Sequence, residues 1–193
     1  MSSGGKFLQT TFEQKITALL VRLGISRDYG VKHQLDLCEE CTRPVSIGKD
    51  MFDREQSMTP HAARAWSDMK DAAASAGIEL QLVSAFRSVD YQAGIIQRKL
   101  DSGQSIEQIL KVSAAPGYSE HHSGNALDIS TPEFEPLEEE FENSPAFEWL
   151  KKSAGTFGFR LSYPRNNPHG VCYEPWHWCW TSAPDWKSLP EQR

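Results

Sequence analysis

The sequence predicts an α+β fold: a single domain with a small, mainly antiparallel sheet flanked by helices. Three observations predict it. The chain has 193 residues, 39% hydrophobic and 24% charged, enough for one sizeable core and short for two ordinary domains. Its apolar residues recur at helical spacing over long stretches and alternate only over short ones. Neither an internal repeat nor a low-complexity linker divides it. A polar arm and a short helix are expected over residues 1–25, with "ITALLVRLGI" (16–25) as the amphipathic part. Residues 26–57 carry mixed signals, and "RPVSIGKDMFDREQS" reads as a loop or loose hairpin.

From Thr59 onward the pattern is sharper. Thr59 is placed to cap a helix with Pro60 at its first position, and Gly77 to end it. Ala62, Ala63, Trp66, Met69, Ala73 and Ala76 form its core face. "IELQLVSAF" alternates as a strand with Ile78, Leu80 and Leu82 on one side. Ser88 caps a second helix that stops near Gly103, and "SIEQILKV" makes a short third. "APGYSEHHSG" reads as a loop, "NALDIS" as a strand and "EFEPLEEEFENS" as an irregular acidic connection. Ser144 and Pro145 open a last helix. "GFRLSYP" and "VCYEPWHWCW" finish as strands around the loop "RNNPHG".

The net charge of −6 leaves no general basic surface, so nucleic acid is not an expected partner. No run is long and apolar enough to span a membrane. The opening "MSSGGK" lacks the basic start of a signal peptide. A cytoplasmic location is therefore expected, or a cell-envelope one if an export signal has been removed. The four cysteines include one C-x2-C pair, Cys38 and Cys41, but Cys172 and Cys179 do not form the second knuckle of a structural zinc site. Free buried thiols are the default expectation for a cytoplasmic chain, with one or two disulfides as the alternative.

Six histidines, at 33, 61, 121, 122, 169 and 177, are candidate metal ligands. Two places stand out. His121 precedes Gly124, which allows a tight turn, and then Asp128 on a strand. Alternation turns Asp128 toward a cleft while Leu127 and Ile129 enter the core. Glu174 and His177 lie three apart, which in a regular strand sets them on opposite faces. Pro175 between them invites the bend that would let both reach one site. An unbound Glu beside a zinc ligand suits a general base. Arg87 sits at a helix start, where its charge is mildly unfavourable and an anionic partner would explain it.

"SEHHSGNALD" fits SxHxxGxAxD and "EPWH" fits the ExxH element that closes it. With "SAFRSVDYQ" (SxxRSxxxQ) and "GFRLSYP" in order before them, the chain resembles the zinc D-Ala-D-Ala carboxypeptidases and dipeptidases of the VanY and VanX type. Those share a zinc core with lysostaphin-type peptidases and the hedgehog signalling domain. The resemblance runs from Met58 to Trp178 and divides the chain into an N-terminal arm and helix, 1–57, and a zinc peptidase domain, 58–193. It implies Zn2+ held by His121, Asp128 and His177, with Glu174 as base. Arg87 would clamp the substrate's terminal carboxylate, with Gln92 and Ser119 bonding the peptide. His122 falls on a variable position and is expected to line the cleft or lie exposed. His169 reads as a surface residue, and Trp176 and Trp178 as core.

The implied substrate is a peptidoglycan stem peptide or muropeptide that loses its C-terminal D-alanine, cut by a monomer. A D,D-carboxypeptidase would take pentapeptides and an L,D-enzyme tetrapeptides; the missing export signal leans toward the second. An endopeptidase of the same fold would need no carboxylate clamp. A non-catalytic zinc-core module would have no use for Glu174.

Overall fold

The computed structural model describes residues 11–181, so most of the expected polar arm and the last twelve positions lie outside the described residues. Six helices, six strands and three single-turn 3-10 helices follow one another through these residues. Helix α1 (Phe12–Arg22) begins with a reciprocal capping box between Thr11 and Gln14. Helix α2 (Tyr29–His33) follows, and then a hairpin of β1 (Val45–Lys49) and β2 (Glu55–Met58). The expected loose hairpin is thus a paired one with a register shift between Ser46 and Gly48. Asp50 pins its tip: its carboxylate accepts from the backbone of Phe52 and Arg54 and from the side chains of Arg54 and Gln56.

Helix α3 (Pro60–Ser75) starts as Thr59 and Pro60 dictate, the Thr59 hydroxyl accepting from the Ala62 amide. Ala62, Trp66, Met69 and Ala73 are buried. Ala76 is exposed, against the expectation, because the helix ends there and Gly77 turns the chain away with φ +76°. Strand β3 (Gln81–Ser84) leads to α4 (Val89–Asp101), capped by Ser88, and α5 (Ile106–Val112), capped by Ser105. After β4 (Ala126–Ser130) come α6 (Pro145–Ser153), β5 (Phe159–Leu161) and β6 (His177–Trp180).

The main sheet is antiparallel in the order β3-β4-β6-β5. One of its faces carries Leu82, Leu127, Ile129 and Trp178 into a core shared with α3, α6 and Phe141. Phe141, 1% exposed, anchors the acidic connection, which was expected to be irregular and instead makes a 3-10 turn over Glu139–Asn143. A second core joins α1 and Tyr29 to α4 and α5 through Ile16, Leu20, Val89, Ile96 and Ile109. No helix among the described residues is long and apolar enough to cross a membrane.

Candidate metal centre

The register of the sheet builds one side of the site. Asp128 on β4 pairs directly with His177 on β6 and with Ser84 on β3, so three polar side chains form a row across the sheet. Alternation sends their neighbours Leu127 and Trp178 to the core, so the row occupies the other face. Ser84 Oγ donates to Asp128 Oδ2 at 2.6 Å. His121 arrives from the 3-10 turn Glu120–Ser123, which Gly124 closes at φ +70°. A Cβ on Gly124 would lie 3.1 Å from Cys41 Cβ and 3.2 Å from the Thr59 amide nitrogen, so both the turn and the close packing call for glycine there.

His121 Nδ1 donates to the Ala85 carbonyl at 2.6 Å, which leaves Nε2 facing Asp128 Oδ2 at 3.3 Å. His177 Nδ1 lies 3.1 Å from Asp128 Oδ1. One ligand atom from each of the three residues falls within 4.8 Å of the others. All three side chains are buried, yet each borders a cleft of about 790 Å³. Two imidazole nitrogens and a carboxylate oxygen gathered at the wall of a cleft are a donor set that fits catalytic zinc.

The charges are arranged to match. Burial holds the His121 imidazole neutral, below its ordinary value. Burial alone would raise Asp128, but the two histidines hold it well below the usual carboxylate range. Burial also works against a charged His177, but Asp128 and Glu120 outweigh it and raise His177 to about 10. Without an ion, then, a proton on His177 sits where positive charge is favoured. Glu174 lies just before β6, its Oε2 3.9 Å from His177 Nδ1. Its carboxylate meets no hydrogen-bond donor among the described residues. Burial is the chief reason its carboxyl is raised to about 7, with His177 opposing.

Arg87 forms another part of the cleft wall. Its backbone amide donates to the His121 carbonyl, and its guanidinium donates to Gln92 Oε1 at 2.9 Å and Ser84 Oγ at 3.3 Å. Those two bonds use two of the five N–H donors of an arginine. Asp128 Oδ2 is 3.7 Å away. A cation, a mostly buried acid and a three-residue cluster therefore share one cleft.

The family description "VanY: D-alanyl-D-alanine carboxypeptidase" matches residues 55–183. The chain belongs to the VanY family. Among relatives, it is 38% identical over 120 residues to YodJ of Bacillus subtilis (strain 168), whose name ascribes to it a carboxypeptidase activity; the match covers 60% of this chain and 43% of YodJ. It is 29% identical over 133 residues to a D-alanyl-D-alanine carboxypeptidase of Enterococcus faecium, covering 67% of this chain and 39% of that one. The chain thus spans less than half the length of these curated relatives. Among solved structures, that of the LdcB LD-carboxypeptidase superposes with a TM-score of 0.66 at 32% identity, covering 73% of this chain and 69% of that one. VanYB in complex with D-alanine-D-alanine shares the fold, with a TM-score of 0.59 at 23% identity, covering 77% of this chain and 82% of that one.

Within this VanY-family fold, several side chains sit differently from what the sequence suggested. His122 neither lines the cleft nor lies exposed: it is 0% exposed. Its Nε2 accepts from the Gly117 amide at 3.1 Å and its Nδ1 donates to the Arg87 carbonyl at 2.6 Å. It ties the turn that carries His121 to the loop that carries Arg87. Replacing His122 by alanine orphans the buried Gly117 amide and the partly buried Arg87 carbonyl, so a loss of about 2 kcal/mol is expected in urea denaturation of the metal-free protein. Gln92 borders the cleft, but its amide is already committed, accepting from Arg87 and donating to the Ala114 carbonyl. It holds Arg87 in place rather than offering free groups to a peptide. Ser119 lines the cleft and its side chain makes no capping bond. Trp178 is core, but Trp176 is only half-buried and lines the cleft, because Pro175 and Trp176 form a turn and β6 begins only at His177. That turn, rather than a distorted strand, brings Glu174 beside His177.

His169 is also less free than expected, since it and His33 each approach the other's carbonyl through Nδ1, at 3.0 and 2.7 Å. All four cysteines are free thiols, but only Cys179 is buried as expected: Cys38 and Cys41 are half-buried and Cys172 is exposed. Sequence reasoning missed Ser84, Tyr163 and Glu120. Ser84 opens the SxxRSxxxQ motif and Tyr163 lies in GFRLSYP, but only the register of β3 against β4 sets Ser84 beside Asp128. Tyr163 packs its ring 4.9 Å from that of His177. Glu120 precedes His121 in the chain, and its carboxylate contacts His177.

Proposed function

We propose that the protein is a zinc-dependent carboxypeptidase that releases the C-terminal D-alanine of peptidoglycan stem peptides. The observation that carries this reading is the joint placement of Arg87 and Glu174 around the His121, Asp128 and His177 cluster in one cleft. The names of the relatives support the substrate class, since one is a D-alanyl-D-alanine carboxypeptidase and another an LD-carboxypeptidase.

His121 Nε2, an Asp128 oxygen and His177 Nδ1 would hold the ion. When bound, zinc supplies a Lewis acid for the scissile carbonyl and lowers the pKa of a water. Glu174 takes a proton from the attacking water as its hydroxyl adds to the carbonyl carbon, then delivers that proton to the leaving amine as the C–N bond breaks. Its mostly buried position beside the cluster suits both transfers. Arg87 pairs its free donors with the terminal carboxylate and so fixes which carbonyl lies beside the cluster and Glu174.

Incubation of the zinc-loaded protein with defined tetrapeptide and pentapeptide muropeptides, followed by mass analysis, tests the reading. Loss of one alanine is the expected result, and the peptide that loses it reports whether an L,D or a D,D bond is cut. Internal cleavage, or no cleavage of either peptide, contradicts it. Arg87→Ala should lower kcat/KM by roughly 100-fold, since a charge-assisted bidentate pair is lost. Arg87→Lys should recover only part of this, because an ammonium lacks the planar fork. Amidating the substrate's C-terminus should impair the wild type strongly and the Arg87→Ala variant little.

A further inference from the structure

His177 has a carboxylate at each ring nitrogen. Asp128 Oδ1 stands 3.1 Å from Nδ1, and Glu120 Oε2 stands 2.9 Å from Nε2. The two nitrogens face different surroundings. His121 Nε2 and Asp128 Oδ2, 3.3 Å apart, gather on the Nδ1 side, where the three-ligand cluster is. Nε2 points the other way, toward the 3-10 turn at Glu120.

We propose that Glu120 is a positioning residue for His177: its carboxylate accepts the Nε2 proton and so presents the Nδ1 lone pair to the metal. The inference rests on the reading of the cluster as a metal centre. A metal-bound imidazole donates its remaining N–H to an acceptor, which fixes both the tautomer and the ring plane. Glu120 is itself fixed. Arg160 on β5 donates to its Oε1 at 2.8 Å. The turn that sets Glu120 begins immediately before His121, so one backbone segment places a ligand and the partner of the opposite ligand. A plain surface ion pair with Arg160 does not account for the placement. Arg160 is half exposed, and such pairs contribute little, whereas the other Glu120 oxygen is spent on an imidazole that is 3% exposed.

The test compares zinc dissociation constants of wild type, Glu120→Ala, Glu120→Gln and Arg160→Ala, measured by competition with a chromophoric chelator. Thermal unfolding of the metal-free proteins serves as the control for folding. Glu120→Ala should weaken zinc binding by roughly 10- to 100-fold. Glu120→Gln keeps an acceptor oxygen and should recover most of that loss, and Arg160→Ala should weaken binding far less than Glu120→Ala. The cobalt-substituted Glu120→Ala protein should show an altered visible spectrum, since a reoriented ligand changes the field at the ion. A Glu120→Ala constant within threefold of wild type overturns the proposal, as does an equal loss in Arg160→Ala. Should Glu120→Ala not fold, ring nitrogen shifts of His177 in the zinc-loaded wild type decide: a protonated Nε2 is expected, and a metal-bound Nε2 overturns it. Failure of the wild type to bind zinc at all would instead count against the metal centre itself, which separates the two claims.

Discussion

Glu174→Gln leaves zinc bound and removes hydrolysis, with kcat falling by roughly 1000-fold. The amide fills the same space but cannot take a proton from water or return one to the leaving amine. Because Glu174 is not in the three-ligand cluster, the zinc content of the variant should equal that of the wild type. The same substitution should stabilise the metal-free protein at high pH. Burial raises the Glu174 carboxyl from 4.5 to about 7 in the folded chain. A raised folded value means that this group's contribution to stability is whole below 4.5 and is lost as pH rises through 7. Above that, the native state carries a buried charge that costs on the order of 3 kcal/mol. Glutamine carries no such charge. The variant should therefore unfold at a higher urea concentration than wild type at pH 8, with the gain shrinking as pH is lowered to 5. A dead enzyme that is also more stable is the signature of an acid placed for chemistry. An active Glu174→Gln enzyme would exclude Glu174 as the base.

The second large effect is loss of the ion. His121→Ala should weaken zinc binding by about 1000-fold or more, since loss of an outer partner alone costs 10- to 100-fold. Activity should fall to background, and dialysis of the wild type against a chelator should do the same reversibly. Metal analysis after gel filtration, followed by an assay with zinc added back, checks both. Restoration of the chelated wild type, but not of His121→Ala, is the expected pattern. Full activity in His121→Ala would exclude the assigned cluster.

Much of this site could be read along the chain because its parts are local. His121, Gly124 and Asp128 lie within one turn and strand, and the periodicity that sends Leu127 and Ile129 inward turns Asp128 outward. Thr59, Ser88, Ser105 and Ser144 announce their helices by chemistry that involves only the next three residues. What escaped notice depends on contacts between distant segments. Ser84 stands in the SxxRSxxxQ motif, but its bond to Asp128 depends on a strand register that no local pattern encodes. His122 and His121 are adjacent and chemically identical, and only the fold sends one to the cleft and the other to Gly117 and Arg87. Phe141 sits among glutamates, so its burial is invisible until α6 and the sheet close over it. The turn at Pro175 and Trp176 was legible as a break, but the direction in which it carries Trp176 was not.

The most direct test of the account is a crystal structure of the protein grown with zinc, with diffraction recorded on both sides of the zinc absorption edge. The account predicts one strong anomalous peak about 2.0–2.2 Å from His121 Nε2, an Asp128 oxygen and His177 Nδ1, with Glu174 near but not bound. A peak elsewhere, such as at Cys38 and Cys41, or none between these three residues, would contradict it.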